Sequence, residues 1–361
     1  MIEDGTRPET PEAAQRQKDR REKDEVTTVE IKVGAEMEDE HGDHYTILEK
    51  LGEGGMGGVF RVRDERTGLE RAVKFMNSRH RQDQMYIRHF QKEIEALVKL
   101  KNPFILFPEH LTYFQIGGER VPGFFTELVE GPTLQKEIQT RGTIEPKQLS
   151  ILAGQMAFGL EALRRAGIVH RDIKPANIFL QVQPNGEQFV RIGDFGIVSD
   201  GEQPMGPEGS STSGDLVTQD RLTKVGYIVG TPAFMSPEAV GGKAVDHRSD
   251  LYSLGIVLYQ MATGRLPFSG EDTLRQQLMD DPKPFADLGI TEEPKWLEHI
   301  VMKLLEKDPE DRYQSAIEVF QAFKDKVAKT YPEALNEIPF MWDIKSPQSQ
   351  SYDDTFLPIA A

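Results

Sequence analysis

The chain has 361 residues, with 43 Lys and Arg against 59 Asp and Glu, and a formal net charge of −16. This acidic balance argues against nucleic acid or an anionic membrane surface as a partner of the whole protein. The absence of cysteine excludes disulfides, thiolate metal sites and cysteine nucleophiles, and it favours the cytoplasm. Neither a signal peptide nor a transmembrane helix is expected, because the first residues are polar and no long apolar run follows.

Residues 1–44 are predicted to be a disordered, charged N-terminal extension, because their composition buries too little apolar surface to offset the entropy of ordering. From residue 45 apolar positions alternate with period two, which predicts antiparallel strands. The predicted strands cover Tyr45–Leu51, Val59–Val62, Arg71–Phe75, Leu111–Phe114 and Phe124–Val129. One helix is predicted over Met85–Lys101, where Pro103 ends it. Residues 45–126 therefore read as a small β-rich lobe.

Residues 127–328 change character and are rich in helical periodicity. The predicted helices cover Lys147–Ala166, Asp246–Thr263, Lys295–Glu306 and Ser315–Ala328. Between the first two, a hairpin is predicted from Ile178–Leu180 and Phe189–Ile192. A small β-rich lobe followed by a larger α-helical lobe is an α+β, two-lobed arrangement. Residues 329–361 are predicted to be a C-terminal tail.

The segment His170–Asn177 (HRDIKPAN) places three chemically distinct groups on one short loop. Asp172 could accept a proton from an attacking hydroxyl, and Lys174 could steady a moving phosphoryl group. Asn177 could hold magnesium, and the hairpin that follows would bring it near Asp194, a second oxygen ligand. A polar surface loop is the ordinary interpretation of an isolated HRD tripeptide. The longer string with Asp194 favours phosphoryl transfer.

A glycine-rich stretch lies earlier in the chain, where LGEGGMGGV contains GxGxxG at Gly52, Gly54 and Gly57. Dinucleotide-binding folds share this pattern, but there the glycines open a helix. Here a strand continues from Val59, so the glycines connect a hairpin whose N–H groups could lie over phosphates. A merely flexible turn is the alternative.

With these motifs, the DFG of Asp194–Gly196 and the segment Gly230–Glu238, the chain resembles the eukaryotic-type protein kinases, and closely the Hanks-type serine/threonine kinases of bacteria. The resemblance runs from about Tyr45 to Ala328. It implies a two-lobed kinase fold and transfer of the ATP γ-phosphate to Ser/Thr hydroxyls of proteins, with autophosphorylation of the activation loop. The implied cofactors are ATP and Mg²⁺, with Mn²⁺ as an alternative metal. Protein substrates are unidentified, and dimerisation stays open.

The resemblance also assigns roles to individual residues. The implied catalytic residues are Asp172, Lys174, Lys74 and Glu93. The implied ATP-binding residues are Leu51, Gly52, Glu53, Gly54, Gly55, Gly57, Val59, Ala72, Lys74, Thr126, Glu127 and Val129. The implied metal ligands are Asn177 and Asp194. The implied regulatory residues are Arg171, Thr223, Thr218 and Thr231, and the implied structural supports are Glu238, Asp250 and Arg312.

Two of these assignments were weighed against alternatives. Glu93 competes with Glu95 as the partner of Lys74, and Glu93 is preferred because it shares a helical face with Phe90 and Leu97. Thr126 is expected at the gatekeeper position before the adenine-binding hinge, and an ordinary strand end is the alternative interpretation of this segment.

Two other functions remain as alternatives to a protein kinase. A nucleotide-sensing pseudokinase predicts damage at Lys74, Asp172, Asn177 or Asp194, and all four are present. A small-molecule kinase predicts loss of the segment Thr231–Glu238, which is also present.

Overall fold

The computed structural model describes residues 30–54, 57–100, 102–183, 186–194, 231–290 and 294–336. Within these ranges the chain forms two compact units. One comprises residues up to Asp83 together with Thr112–Phe124, and the other comprises Gln84–Leu111 together with residues from Phe125 onward. Strands dominate the first unit and helices the second, so the α+β prediction is confirmed. In the part of the chain described, no helix is long and apolar enough to cross a membrane.

Six strands close into a barrel in the order β1-β2-β3-β4-β6-β5, and β7 pairs with β8 as a separate antiparallel hairpin. Alternation explains these strands: in β3, for example, Phe60 and Val62 point into the core while Arg63 is exposed. The strand bounds are β1 Glu36–Asp39, β2 His44–Gly54, β3 Gly57–Asp64, β4 Glu70–Phe75, β5 Pro108–Ile116, β6 Glu119–Thr126, β7 Ile178–Val182 and β8 Gln188–Ile192.

Within the described ranges, the α-helices lie in the second unit. Their bounds are α1 Gln84–Val98, α2 Leu134–Arg141, α3 Pro146–Arg165, α4 Pro237–Val240, α5 His247–Thr263, α6 Thr273–Met279, α7 Lys295–Leu304 and α8 Ala316–Thr330. Short 3₁₀ turns cover Ser78–His80, Pro175–Asn177, Pro232–Phe234, Phe285–Leu288, Pro309–Asp311 and Pro332–Asn336. The sequence did not predict α2, α4 or α6, because helices of four to eight residues carry too few turns for a clear period.

Helix α5 runs through the core of the second unit and carries much of the site described below. It begins after Asp246, whose side chain accepts from Arg248 N, and it ends at Gly264, which adopts the left-handed conformation with φ 68°. Almost every α5 side chain is buried, from Ser249 to Thr263. A helix buried on all sides is a fixed frame, so polar groups on α5 can hold loops at set distances.

Strand β1 is a correction to the prediction that residues 1–44 are disordered. It pairs with both β2 and β5 and thereby closes the barrel. Met37 is 2% exposed, and the buried Asp39 accepts hydrogen bonds from Asp43 N and from the Tyr45 hydroxyl. The charged composition of EMED concealed a two-residue alternation that buries one methionine. Residues 1–29 lie outside the described part.

Replacing Met37 with alanine is expected to lower the free energy of unfolding by about 2–4 kcal/mol, because a fully buried side chain would leave a cavity. Denaturant unfolding measures the loss. Val33→Ala is the matched control, since Val33 is 59% exposed, and its change should stay within about 0.5 kcal/mol. A loss of unfolding free energy for Met37→Ala that is as small as the one expected for Val33→Ala would contradict a role of β1 in stability.

Candidate active site

The loop between α3 and β7 brings a carboxylate, an ammonium and a hydroxyl together. Asp172 Oδ2 lies 2.7 Å from Lys174 Nζ, and Lys174 Nζ lies 3.3 Å from Thr231 Oγ1. Both charged side chains are 22% exposed, so the pair is reachable by a ligand. The ammonium fixes the carboxylate while leaving Oδ1 of Asp172 outside this pair. A hydroxyl approaching here would meet a proton acceptor beside a cation.

Asn177 links this loop to the residue that follows β8. Its buried amide nitrogen donates to Asp172 Oδ2 at 2.9 Å, to the Asp172 carbonyl at 2.8 Å and to the Asp194 carbonyl at 3.4 Å. Because these oxygens accept, the amide nitrogen faces them and the amide oxygen is turned away. The Asn177 oxygen and the Asp194 carboxylate are hard donors that suit a divalent cation.

This donor set is small. Within the described ranges, no cluster of three or more His, Cys, Asp or Glu could hold a metal ion. One carboxylate and one amide fit an ion that takes its remaining ligands from substrate phosphates and water, which is the usual manner of Mg²⁺.

His170 connects the two halves of this arrangement through a single tautomer. Its Nε2 lies 3.1 Å from the Gly193 carbonyl, and its Nδ1 lies 3.3 Å from Asp172 N. A carbonyl only accepts and a backbone N–H only donates, so a neutral ring protonated at Nε2 satisfies both contacts. No role for His170 is predicted from the sequence, although His170 begins the HRDIKPAN segment. Its contacts place it as a spacer between Asp172 and the residue preceding Asp194.

Backbone strain marks the same two places. Among the described residues, two that are not glycine have positive φ: Arg171 at 66° and Asp194 at 54°. Such a conformation costs about 1–3 kcal/mol and persists when the surroundings impose it. Arg171 is the neighbour of Asp172, and Asp194 is a candidate metal ligand, so the strain lies where side-chain direction matters.

Asp250 on α5 forms hydrogen bonds with the backbone of the strained loop at His170 and Arg171. Its carboxylate accepts from His170 N at 2.8 Å and from Arg171 N at 2.9 Å. Burial raises the pKa of Asp250 to about 7, whereas the two N–H donors and the Arg171 charge act to lower it. These two hydrogen bonds hold the backbone of His170 and Arg171 against α5 at the place where Arg171 adopts its left-handed conformation.

The segment after Thr231 is anchored to the body of the second unit by a buried ion pair. Arg312 donates from both terminal nitrogens to Glu238, each at 2.8 Å, and Ser249 donates its hydroxyl to the same carboxylate. Burial alone would raise the pKa of Glu238, but the hydrogen bonds from Arg312 and Ser249 outweigh it, and the net shift is downward. The sequence contained no signal for Ser249.

The hinge residues lie at the end of β6 and beyond it. Thr126 donates its hydroxyl to the Phe107 carbonyl at 3.0 Å, and Val129 is half-buried. Glu127 forms an ion pair with Arg191 of β8, and Arg191 also donates to the Pro103 carbonyl at 3.0 Å. Sequence reasoning missed Arg191, since nothing in the β8 pattern distinguishes it from an exposed strand residue.

The glycine-rich hairpin and Lys74 belong to the first unit. In β4, Lys74 is 8% exposed and lies in register with Val59 of β3, and Ala72 is buried nearby. Gly57 has φ 137°, and a Cβ there would lie 1.9 Å from the Phe75 carbonyl. Gly57 is therefore required by the approach of two strands, whatever it does toward phosphate. Leu51, Gly52, Glu53 and Gly54 continue β2 up to the turn.

Several predicted site residues lie outside what the structure describes. They are Gly55 between β2 and β3, Phe195 and Gly196 after Asp194, and the regulatory candidates Thr218 and Thr223. Glu93 lies in α1, but its side chain is not among those described, so its pairing with Lys74 stays a prediction.

Comparison with known proteins gives consistent matches. Residues 45–325 match the protein kinase domain family. The serine/threonine-protein kinase PknL of Mycobacterium tuberculosis is 33% identical over 275 residues, which cover 76% of this chain and 63% of PknL. PknB of the same species is 33% identical over 282 residues, which cover 77% of this chain and 42% of PknB. A probable serine/threonine-protein kinase of Clostridium perfringens, CPE1738, is 33% identical over 282 residues, or 77% of this chain and 37% of that protein.

The chain thus spans between 37% and 63% of the length of these relatives. Among solved structures, the kinase domain of PknI from M. tuberculosis, crystallised as a double mutant, is similar with a TM-score of 0.58 at 21% identity. The similarity covers 82% of this chain and 100% of that domain. At this identity the likeness concerns the fold.

Proposed function

The chain belongs to the protein kinase family, as a relative of the bacterial Hanks-type serine/threonine kinases, and we propose that it transfers the γ-phosphate of ATP to serine and threonine hydroxyls of proteins. The observation that carries this proposal is the contact of Lys174 Nζ with both Asp172 Oδ2 and Thr231 Oγ1. The proton acceptor Asp172, the cation Lys174 and the hydroxyl of Thr231 are in contact there.

In this proposal Asp172 accepts the proton of the attacking hydroxyl and orients its oxygen. Lys174 holds Asp172 in place and offsets negative charge on the transferring group. Thr231 contacts Lys174 and so bounds the side of the loop from which the short Ser or Thr side chain of a substrate would approach. Asp250 and His170 keep the loop in its strained form, so these groups need little rearrangement when substrate binds.

The family resemblance assigns roles in nucleotide binding to individual residues. Lys74 would contact its phosphates, with Glu93 as its partner, under the glycine-rich hairpin. The backbone of Glu127 and Val129 would contact adenine, and Thr126 would border the base. Asn177 and Asp194 would hold a divalent cation, which supplies charge neutralisation between phosphate oxygens when bound. We propose Mg²⁺ as that cation, with Mn²⁺ as an alternative.

The finer parts of the proposal concern regulation and location. The family resemblance supports autophosphorylation at Thr223 or Thr218, with Arg171 as the cation that would hold the phosphorylated segment. We propose a cytoplasmic location, which the absence of cysteine supports. Protein substrates would be recognised without nucleic acid or membrane, and dimerisation remains open.

The direct test is incubation of the purified protein with ATP and magnesium or manganese chloride, together with a mixed peptide library. We expect phosphoserine and phosphothreonine but no phosphotyrosine by mass spectrometry, and phosphate on Thr223 or Thr218 of the protein itself. Lys74→Met should reduce both by about 100-fold or more if Lys74 orients the phosphates.

The comparison with the alternatives uses the same samples. A protein that binds ATP but labels no peptide, under either metal, would favour a nucleotide-sensing scaffold. Labelling of a small aminoglycoside-type acceptor in place of peptides would favour a small-molecule kinase.

A further inference from the structure

Two buried side chains hold the carbonyls of the turn Pro232–Phe234. Gln277 of α6, which is 0% exposed, donates to the Ala233 carbonyl at 2.8 Å. Ser253 of α5 donates to the Phe234 carbonyl at 2.7 Å. Since Thr231 precedes this turn and contacts Lys174, the position of the turn relative to the reacting groups depends on these donors.

The contact from Gln277 is one link in a directed series of hydrogen bonds. The atom that faces the Ala233 carbonyl must be the amide nitrogen, so the amide oxygen faces the Tyr252 hydroxyl, 2.6 Å away. Tyr252 therefore donates its one proton to Gln277. Its oxygen accepts from Lys307 Nζ at 3.2 Å. Every donor in the series points toward the turn.

Lys307 gives the series its direction. Its three N–H groups have three acceptors, namely the Tyr252 hydroxyl and the carbonyls of Gln276 at 3.3 Å and Gln277 at 2.9 Å. An ammonium cannot accept, so the Tyr252 hydroxyl cannot turn its proton toward Lys307. Phe268 covers the ammonium, with its ring centroid 4.1 Å away.

The titration of Lys307 sets the range over which this direction holds. Burial lowers the pKa of Lys307 to about 8, and the nearby Asp281, Asp280 and Glu306 carboxylates oppose that shift while Arg312 adds to it. Lys307 is therefore mainly charged at neutral pH.

We propose that Tyr252 and Gln277, oriented by Lys307, are positioning residues that set where an acceptor peptide lies relative to Asp172. A substrate hydroxyl that reaches Asp172 beside Lys174 lies next to Thr231, so the neighbouring residues of the peptide come close to the turn Pro232–Phe234 that follows Thr231. The turn therefore borders the peptide, and the series of hydrogen bonds from Lys307 through Tyr252 to Gln277 sets the position of the turn. This inference rests on the proposed kinase function and adds the residues that govern peptide binding.

The test compares Tyr252→Phe and Gln277→Met with the wild-type protein, using one serine peptide selected from the library. Each change removes hydrogen bonds that hold the turn, so we expect the peptide KM to rise by about 3- to 10-fold. The kcat at saturating peptide and the KM for ATP should stay within about twofold, because neither variant alters a group assigned to nucleotide or proton transfer. The double variant should be no worse than the poorer single variant, since both interrupt one series.

Tyr259→Phe is the matched control. Tyr259 lies two turns further along α5, is 1% exposed and donates its hydroxyl to the Lys283 carbonyl at 2.9 Å. Tyr259→Phe loses one hydrogen bond of a buried tyrosine on the same helix, and its acceptor, Lys283, lies outside the series that ends at the turn. Its thermal stability should fall, by no more than that of Tyr252→Phe, which loses two hydrogen bonds, while its peptide KM stays unchanged. A peptide KM that is unchanged in Tyr252→Phe, or raised equally in Tyr259→Phe, would overturn the proposal.

Hydrogen–deuterium exchange separates failure of this inference from failure of the kinase function. Amides of the turn and of the residues up to Val240 should exchange faster in Tyr252→Phe and Gln277→Met than in Tyr259→Phe, with no substrate present. If the wild type labels no peptide but this difference is seen, the kinase function fails and the control of the turn stands. Equal exchange in all variants would refute control of the turn by this series of hydrogen bonds, whatever the kinase activity of the variants.

Discussion

Asp172→Asn is expected to reduce phosphate transfer to peptides by about 100- to 10,000-fold, the range over which a positioned general base contributes. Asparagine has the shape of aspartate and keeps one oxygen. That oxygen can still accept from Lys174 Nζ, at 2.7 Å in the structure, or from Asn177 Nδ2, at 2.9 Å. The substitution removes the charge and the basicity while the loop geometry is retained. Initial rates with saturating ATP and peptide measure the loss.

The control for charge is Asp308→Asn. Asp308 accepts from Glu310 N at 2.9 Å before the turn Pro309–Asp311, and asparagine caps such a turn equally well. It removes the same unit of charge away from the site, so its rate should stay within about twofold of wild type. Asp172→Asn should keep the wild-type melting temperature and nucleotide affinity. More than a tenth of wild-type activity in Asp172→Asn would contradict its role as the proton acceptor.

Much of the fold could be predicted because its elements carry strong local signals. The long helices α3, α5, α7 and α8 and the β7-β8 hairpin lie within a few residues of their predicted bounds. The exceptions have local causes. Strand β1 buries just two of its four residues, one of them an aspartate, so its composition resembles that of a solvated segment.

Some residues of the candidate site can be predicted from the sequence, and others cannot. Residues in short motifs, such as Asp172 and Asn177, could be named from spacing, and the structure places them in contact. Residues that act through carbonyl oxygens could not be found. Gln277 holds Ala233 across 44 positions of sequence, and a carbonyl acceptor belongs to every residue, so no pairing of residue types indicates the contact.

For the glycine-rich stretch, the sequence indicates which positions matter but not the physical reason why glycine is needed there. The GxGxxG pattern predicts that the backbone at Gly57 lies close to phosphate. In the structure its missing Cβ makes room for the Phe75 carbonyl, and its φ is positive. Gly52 has nothing within 4 Å of the place where a Cβ would lie, so its requirement for glycine has no such packing cause.

The pairing of Arg312 with Glu238 carries the largest expected effect on stability. The Arg312 side chain is 0% exposed, and its five N–H groups have five acceptors. Two are the Glu238 oxygens, and three are the carbonyls of Glu306 at 2.8 Å, Arg248 at 3.0 Å and Lys307 at 3.1 Å. Removing Arg312 would leave a buried carboxylate without its counter-charge and three carbonyls without a donor.

Arg312→Met is therefore expected to lower the free energy of unfolding by about 3–5 kcal/mol at pH 7, as for other broken buried pairs. Its matched control is Glu310→Gln, which breaks the 2.8 Å pair with Arg248, where Glu310 is 75% exposed. That change should cost less than about 1 kcal/mol, because water screens an exposed pair. Urea unfolding of both variants measures the two costs, and similar costs would contradict the role given to the buried pair.

The cost of Arg312→Met should also depend on pH in one direction. The folded-state pKa of Glu238 is lowered from 4.5, with the hydrogen bonds from Arg312 and Ser249 outweighing burial. A carboxylate with a lowered folded pKa contributes stability that is fully present above its unfolded pKa and is lost as the pH falls through the folded pKa. In Arg312→Met burial acts on Glu238 without the opposing hydrogen bonds and charge of Arg312, so the folded-state pKa of Glu238 should be higher in the variant than in the wild type. The variant should then gain stability as the pH falls through that raised pKa, and the wild type should lose stability as the pH falls below the unfolded glutamate pKa. The gap in unfolding free energy between wild type and Arg312→Met should therefore be largest at pH 7 and narrow progressively as the pH is lowered. A gap that stays constant down to pH 3.5 would mean that the lost packing of Arg312, and not its charge on Glu238, holds the segment after Thr231 in place.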